Sequence, residues 1–386
     1  MVAEAEIVCR PAVAVPYLCV PSPPSPKTDA KFFDISPAAA SAAPIEIDLC
    51  RIDSSLSCST STQTPTQKVA QKIFSGSHTD IGPRSSNEDQ HIRIDDLAAQ
   101  LGPSLLSWPK PTSFYAVFDG HGGPDAALYM KNNALRFFFA EAQLPQPPST
   151  DDIDEKKHFL KNLEKSHRES FKSADLALAN ETGPVDPYCG TTALTALVFG
   201  RDLLIANVGD CRAVLCRNGN AVQLSRDHRP SCRVERKRVE DLGGKIEYGY
   251  LNGDLAVTRA LGDWYLKVPF GSGSPLTGEP EFGLTLLTED DEFLIIGCDG
   301  IWDVMSNEEA VCVVREELAR CRDPIVCARE LVNRALMRDS CDNVTAVVVC
   351  FSSRDLNTCS RRSRFRFCMS EEARSKLRSL LDCDDN

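Results

Sequence analysis

The chain changes texture near residue 70. Before that point eight prolines fall between Pro11 and Pro44, and Ser, Thr and Ala fill much of the rest up to Gln67. No periodic apolar face can form there, so residues 1–70 are expected to be a disordered tail. From Ile73 onward short apolar runs are punctuated by Gly, Asp and Asn, the pattern of many strands joined by turns. Residues 114–118, FYAVF, read as a buried strand stopped by the glycines of DGHGGPDAA, and Pro124 opens a helix whose apolar period runs to Phe139. Residues 141–155 read as a surface loop, followed by a helix through Leu178 that would cover a sheet face before Pro184 and Pro187 break the chain.

From Thr191 to Ser225, β-branched and apolar residues alternate between turn pairs at Gly200-Arg201, Gly209-Asp210 and Asn218-Gly219, which predicts one antiparallel meander. EFLIIG at 292–297 is another buried strand, helices are expected near 306–319 and 324–337, and NVTAVVVCF from Asn343 is the last strand. Beyond Asn357, SRRSRFRF is a basic run and EEARSKLRSLLD an amphipathic stretch able to form a short docking helix. Clustered strands with helices between them predict an α+β fold of packed sheets under helices. The expected organisation is a tail at 1–70, one folded domain at 71–355, and a basic segment with a short helix at 356–386.

Hydrophobic residues make up 42% of the 386 and charged residues 25%, enough apolar surface to bury a core. The net charge of −12 repels phosphate backbones and anionic headgroups, so neither nucleic acid nor a membrane is an expected partner. No apolar run reaches the roughly 18 residues of a bilayer span, and the opening MVAEAEIVCR carries Glu4 and Glu6 where a targeting peptide wants bases. A soluble, monomeric chain is expected. The 17 cysteines form no C-x-x-C pair, so they read as free thiols of a reducing compartment, cytoplasmic or nuclear. The six histidines show no zincin spacing, so any bound metal must be held by oxygen.

The informative regularity is that Asp119, Asp210 and Asp299 each sit where an apolar strand stops beside a glycine, and Asp342 precedes a strand. One Asp-Gly pair is an ordinary turn; four aspartates at strand ends in one domain suit a hard divalent ion such as Mg²⁺ or Mn²⁺. Gly120 after Asp119 would let a backbone carbonyl approach such an ion. No segment fits the calcium loop D-x-[DN]-x-[DN]-G with Glu at its twelfth position. RSSNEDQHI brings Arg84, a phosphate-pairing cation, close to Glu88 and Asp89 just before a strand. His121, alone a surface imidazole in a turn, becomes a candidate proton donor beside metals.

In order, RSSNED, VFDGHGG, CGTTA, IANVGDCRAV, LAVTRALGD, CDGIWD and SCDN resemble the metal-dependent Ser/Thr protein phosphatases of type 2C, and the chain looks like a plant member over residues 75–352. The resemblance implies two antiparallel sheets packed as a sandwich and flanked by helices, with two Mg²⁺ or Mn²⁺ ions at one end. It implies hydrolysis of phosphoserine and phosphothreonine on proteins, kinases among the candidate substrates, by direct attack of a metal-bridging hydroxide. Carried over by position, Asp119 would bridge both ions, Gly120 would lend its carbonyl, Asp299 and Asp342 would complete the shells, and Glu88 and Asp89 would act largely through water. Arg84 would bind phosphate, His121 would be the general acid, and Asp210 would belong to a third, looser ion. Thr192, Arg259, Asp263, Asp303 and Asn343 match as supporting hydrogen-bonding residues. Asp227 to Lys267 corresponds to the family's mobile flap. The abscisic-acid co-receptor branch carries a tryptophan inside that flap, whereas residues 243–259 have none and Trp264 comes too late, so hormone-receptor docking is not expected.

Two other classes compete. Cys298 beside Asp299 suggests a cysteine phosphatase, but a C-x(5)-R loop needs Arg where Val304 stands. A catalytically inactive binding module of the same fold has no physical need to crowd unpaired carboxylates.

Overall fold

The computed structural model describes residues 73–105, 107–149, 152–180, 188–267 and 273–351; the expected tail at 1–70 and the expected segment at 356–386 lie outside the described residues. Ten strands carry the architecture: β1 (Phe74–Asp80), β2 (Gln90–Ile94), β3 (Thr112–Phe118), β4 (Ala193–Phe199), β5 (Asp202–Val208), β6 (Arg212–Arg217), β7 (Asn220–Gln223), β8 (Glu281–Leu286), β9 (Asp291–Gly297) and β10 (Val344–Cys350). They form two five-stranded antiparallel sheets, in the orders β1-β10-β9-β6-β7 and β8-β5-β4-β3-β2.

Strand periodicity explains the layering. On β3, Phe114, Ala116 and Phe118 face the helices while Tyr115 and Val117 face the other sheet. On β10, Val344, Ala346 and Val348 face helices while Val347 and Val349 enter the interior between the sheets. Successive side chains point to opposite faces, so a strand apolar at every position must be covered on both sides. The cover on the β3 side is α1 (Asp125–Leu135) and α2 (Ile153–Asn180), and α4 (Asn307–Cys321) and α5 (Pro324–Leu336) pack on the other sheet; a short helix α3 (Arg233–Asp241) lies in the flap. The result is a four-layer helix–sheet–sheet–helix sandwich, as expected.

Local signals set the helix ends. Ser306 and Glu309 form a reciprocal capping box at the start of α4, and Asp323 caps α5 with Pro324 in its first turn, each satisfying amide donors that the helix leaves open. The helix read from Pro124 to Phe139 is α1 continued by a π turn, Arg136–Ala140, which turns Phe137, Phe138 and Phe139 all into the core.

The single meander expected from Thr191 to Ser225 is instead two hairpins in different sheets. Gly200-Arg201 and Asn218-Gly219 are hairpin turns, but Gly209-Asp210 carries the chain from β5 in one sheet to β6 in the other. Gly209 has φ +106°, and a Cβ there would meet the Thr192 side chain at 2.5 Å, so only glycine suits the position. Its N–H donates to His228 Nδ1 at 3.1 Å and its carbonyl accepts from the His228 N–H at 2.9 Å. This buried crossing therefore leaves no peptide group of Gly209 unsatisfied.

The flap has its own small core of Val239, Leu251, Leu255, Val257 and Ala260, joined by Leu276 from the chain beyond it. Buried Glu235 ties it together, accepting from Arg238, Arg259 and the Thr258 hydroxyl. Among the described residues no helix is long and apolar enough to cross a membrane, and the ten cysteines form no disulfide with one another.

Candidate active site

The four strand-end aspartates meet at one end of the sandwich: Asp119 follows β3, Asp210 follows β5, Asp299 follows Cys298 after β9, and Asp342 lies two residues before β10. Carboxylate oxygens of Asp119, Asp210 and Asp299 lie within 4.8 Å of one another, as do an oxygen of Asp89, one of Asp119 and the Cys298 sulfur. Asp89 is 3% exposed, and neither of its oxygens has a hydrogen-bond partner among the described residues.

Such crowding disfavours ionisation. Burial, with repulsion from Asp342 and against the opposing effect of the neighbouring Thr345 and Cys298 side chains, pushes the Asp89 carboxyl up to about 6. Burial and the charges of Asp89, Asp299, Asp210 and Asp342 hold Asp119 well above the usual carboxylate range, and burial with Asp210, Asp342 and Asp303 does the same to Asp299. Buried Asp210 is also raised, although Arg229 opposes the shift. Oxygens this mutually repulsive, with those of Asp89 lacking a hydrogen-bond partner among the described residues, fit hard divalent cations.

The backbone aims these groups. The Asp119 N–H donates to Thr192 Oγ1 at 3.1 Å, and its carbonyl accepts from the Thr192 N–H at 2.8 Å. Asn343 accepts from the Glu88 N–H at 2.8 Å and donates to the carbonyls of Ile81 and Ser86, which pins the RSSNED turn against the loop carrying Asp342. A Cβ on Gly120 would lie 2.6 Å from the Glu88 carbonyl, so packing alone already requires glycine there. Glu88 is itself held in that turn, its carboxylate accepting from the Ser86 hydroxyl and the Gly123 N–H.

Arg84 donates through Nη2 to Asp342 at 2.6 Å and through Nε to the Cys341 carbonyl, with 57% of its side chain exposed at the cleft mouth. His121 Nε2 lies 2.7 Å from Oδ2 of fully buried Asp263; a carboxylate only accepts, so Nε2 carries the proton. Burial pulls the His121 imidazole down, but the bond and charge of Asp263, helped by Asp210 and Glu88, raise it overall. The remaining supporting residues hold frames rather than face the cleft: Arg259 binds Glu235 in the flap, and Asp303 pairs with Arg229. Cys298 is fully buried, and burial together with Asp89 and Asp119 pushes its thiol far up, so no thiolate nucleophile forms.

Two residues escaped the sequence reading. Arg229 lies 2.8 Å from Asp210, 3.1 Å from Asp299 and 2.7 Å from Asp303; its only signal was a basic residue in DHRP, one of many in the chain. Gly190 packs so tightly that a Cβ would meet Asp263 Oδ2 at 2.0 Å and His121 Nε2 at 2.4 Å; the glycine of CGTTA marked the place without giving the reason. Arg84, Glu88, Asp119, His121, Asp210, Asp299 and Asp342 line a cleft of about 390 Å³ that Tyr250, Asp254, Leu255, Ala256 and Val257 bound on the flap side.

Residues 75–344 match the family model described as protein phosphatase 2C. The chain is 54% identical to probable protein phosphatase 2C 13 of Arabidopsis thaliana over 334 residues, 86% of this chain and 85% of that one. It is 49% identical to probable protein phosphatase 2C 47 of Oryza sativa subsp. japonica over the whole of both chains. The crystal structure of serine-threonine phosphatase 2C from Toxoplasma gondii shares the fold, with a TM-score of 0.60 at 24% identity over 72% of this chain and 95% of that one. A family match across most of the folded residues, and relatives this similar over nearly their full length, place the chain in the protein phosphatase 2C family of serine/threonine protein phosphatases.

Proposed function

We propose that this phosphatase hydrolyses phosphoserine and phosphothreonine on protein substrates with two Mg²⁺ or Mn²⁺ ions held by Asp119, Asp299, Asp342 and the Gly120 carbonyl, with Asp89 and Glu88 contributing through water. The observation that carries this reading is the convergence of carboxylates at strand ends around Asp89, whose two buried oxygens have no hydrogen-bond partner among the described residues. Uncompensated carboxylates in a buried site are costly unless a cation joins them. Bound ions would supply a water acidic enough to lose its proton near neutral pH and positive charge for the phosphoryl oxygens.

The chain's own residues supply the rest. Arg84, exposed at the mouth, would pair with phosphate oxygens through its guanidinium. His121 is fixed by Asp263 in one tautomer and held protonated to higher pH than a free imidazole, so it can give a proton to the departing seryl or threonyl oxygen. The acidic floor and the flap wall with Asp254 favour phosphopeptides whose flanking residues are not acidic. An inactive binding module would gain nothing from this self-repelling floor.

The test is phosphate release from a phosphothreonine peptide by the full chain, with EDTA and then with Mg²⁺ or Mn²⁺ added back. Activity is expected only with the ions, and Asp119→Ala should abolish it. Full turnover after exhaustive chelation would overturn the metal assignment.

A further inference from the structure

We infer that Arg229 is an internal cation seated where a third metal ion would bind, and that an ion can enter there only when Arg229 swings out. This rests on the metal-dependent reading above. The guanidinium meets one carboxylate with each of its three nitrogens: Nε with Asp210 at 2.8 Å, Nη2 with Asp299 at 3.1 Å and Nη1 with Asp303 at 2.7 Å. These acids come from the sheet crossing and from the helical turn after β9, so Arg229 fastens together the elements a third ion would otherwise bridge. A divalent ion on the same oxygens would stand at about 2.0–2.1 Å from each, inside the volume the guanidinium fills. Occupancy by one therefore excludes the other, and the antagonism is reciprocal.

The position of Arg229 in the chain adds a consequence. It follows His228, whose ring accepts from Gly209 and whose carbonyl accepts from the Thr258 N–H at 2.8 Å. Its own carbonyl accepts from the Cys232 N–H at 2.9 Å at the entry to α3. The guanidinium adds to these bonds three ion pairs that tie the root of the flap to the acidic rim; expelling the side chain removes that tie, so third-ion entry and flap loosening are one event.

The experiment titrates Mn²⁺ into the full chain as wild type, Arg229→Lys and Arg229→Gln. Bound ions are counted by calorimetry and by the electron paramagnetic resonance signal of free Mn²⁺. The wild type should bind two ions, with a third event absent or confined to much higher concentration. Arg229→Gln should show that event at a concentration lower by about tenfold or more, since one repelling charge at contact distance is gone, and Arg229→Lys should fall between. A third event equally tight in wild type and Arg229→Gln, or weaker in the variant, overturns the inference. Hydrogen exchange on the wild type keeps the idea testable if the variant misfolds: amides of residues 228–260 should exchange faster as the third event fills and not during the first two. Unchanged or increased protection there also overturns it. Failure of the wild type to bind any Mn²⁺ would instead remove the metal-dependent reading, and this inference with it.

Discussion

Asp89→Asn separates the metal-holding role of the acidic floor from its effect on folding. Asp89 is 3% exposed, its oxygens have no hydrogen-bond partner among the described residues, and its carboxyl is raised from 3.8 to about 6. Two pK units correspond to about 3 kcal/mol of ionisation cost in the metal-free fold at pH 8. A folded carboxyl raised above its unfolded value binds protons more tightly in the native state. Metal-free stability is therefore undiminished below about pH 4, falls between about 4 and 6, and carries the full cost above. Asparagine has nearly the same shape and no charge to desolvate. In EDTA at pH 8 the variant should unfold roughly 6–12 °C higher than wild type, with the gap nearly closed at pH 4. Saturating Mn²⁺ should stabilise the wild type more than the variant, because only the wild type keeps the carboxylate. The assay is thermal unfolding by circular dichroism at both pH values, with and without the ion. A variant no more stable than wild type in EDTA at pH 8, or a gap that does not change with pH, would refute the reasoning.

Three further outcomes are expected. His121→Ala should lose on the order of 10²–10⁴ in rate on a phosphothreonine peptide and far less on p-nitrophenyl phosphate, whose leaving group needs no proton; equal losses would remove His121 as the acid. Gly190→Ala, which inserts a methyl between His121 and Asp263, should reproduce that selective loss with the fold intact by circular dichroism, and wild-type peptide turnover would show that the pair is not needed. Glu235, whose carboxyl Arg259 and Arg238 hold far below its usual range against the opposing effect of burial, contributes stability above about pH 4.5 that is lost as pH falls through its depressed native value. Glu235→Gln should cost about 3 kcal/mol in urea unfolding at pH 7, and a change within error would show that the flap does not depend on this clamp.

Much of the sandwich could be read from local pattern. A run such as FYAVF or TAVVV is apolar at both parities and must be buried on both faces, and a Ser-x-x-Glu or Asp-Pro start marks a helix wherever it falls. The strand-end aspartates were legible for the same reason: a strand that stops at Asp-Gly places that carboxylate on a rim, and the structure puts Asp119, Asp210, Asp299 and Asp342 on one rim. Periodicity, however, reports that a face is buried and not what buries it. Nothing local distinguished Gly209-Asp210 from Gly200-Arg201, yet one crosses between sheets and the other closes a hairpin, because His228, Thr192 and the left-handed backbone of Gly209 meet only after both sheets form. The pairing of His121 with Asp263, 142 residues away, the glycine that leaves room for it, and the three carboxylates around Arg229 were decided the same way. Charges far apart in sequence choose partners by which strand ends the assembled sandwich brings within 3 Å, and that choice belongs to the tertiary fold alone.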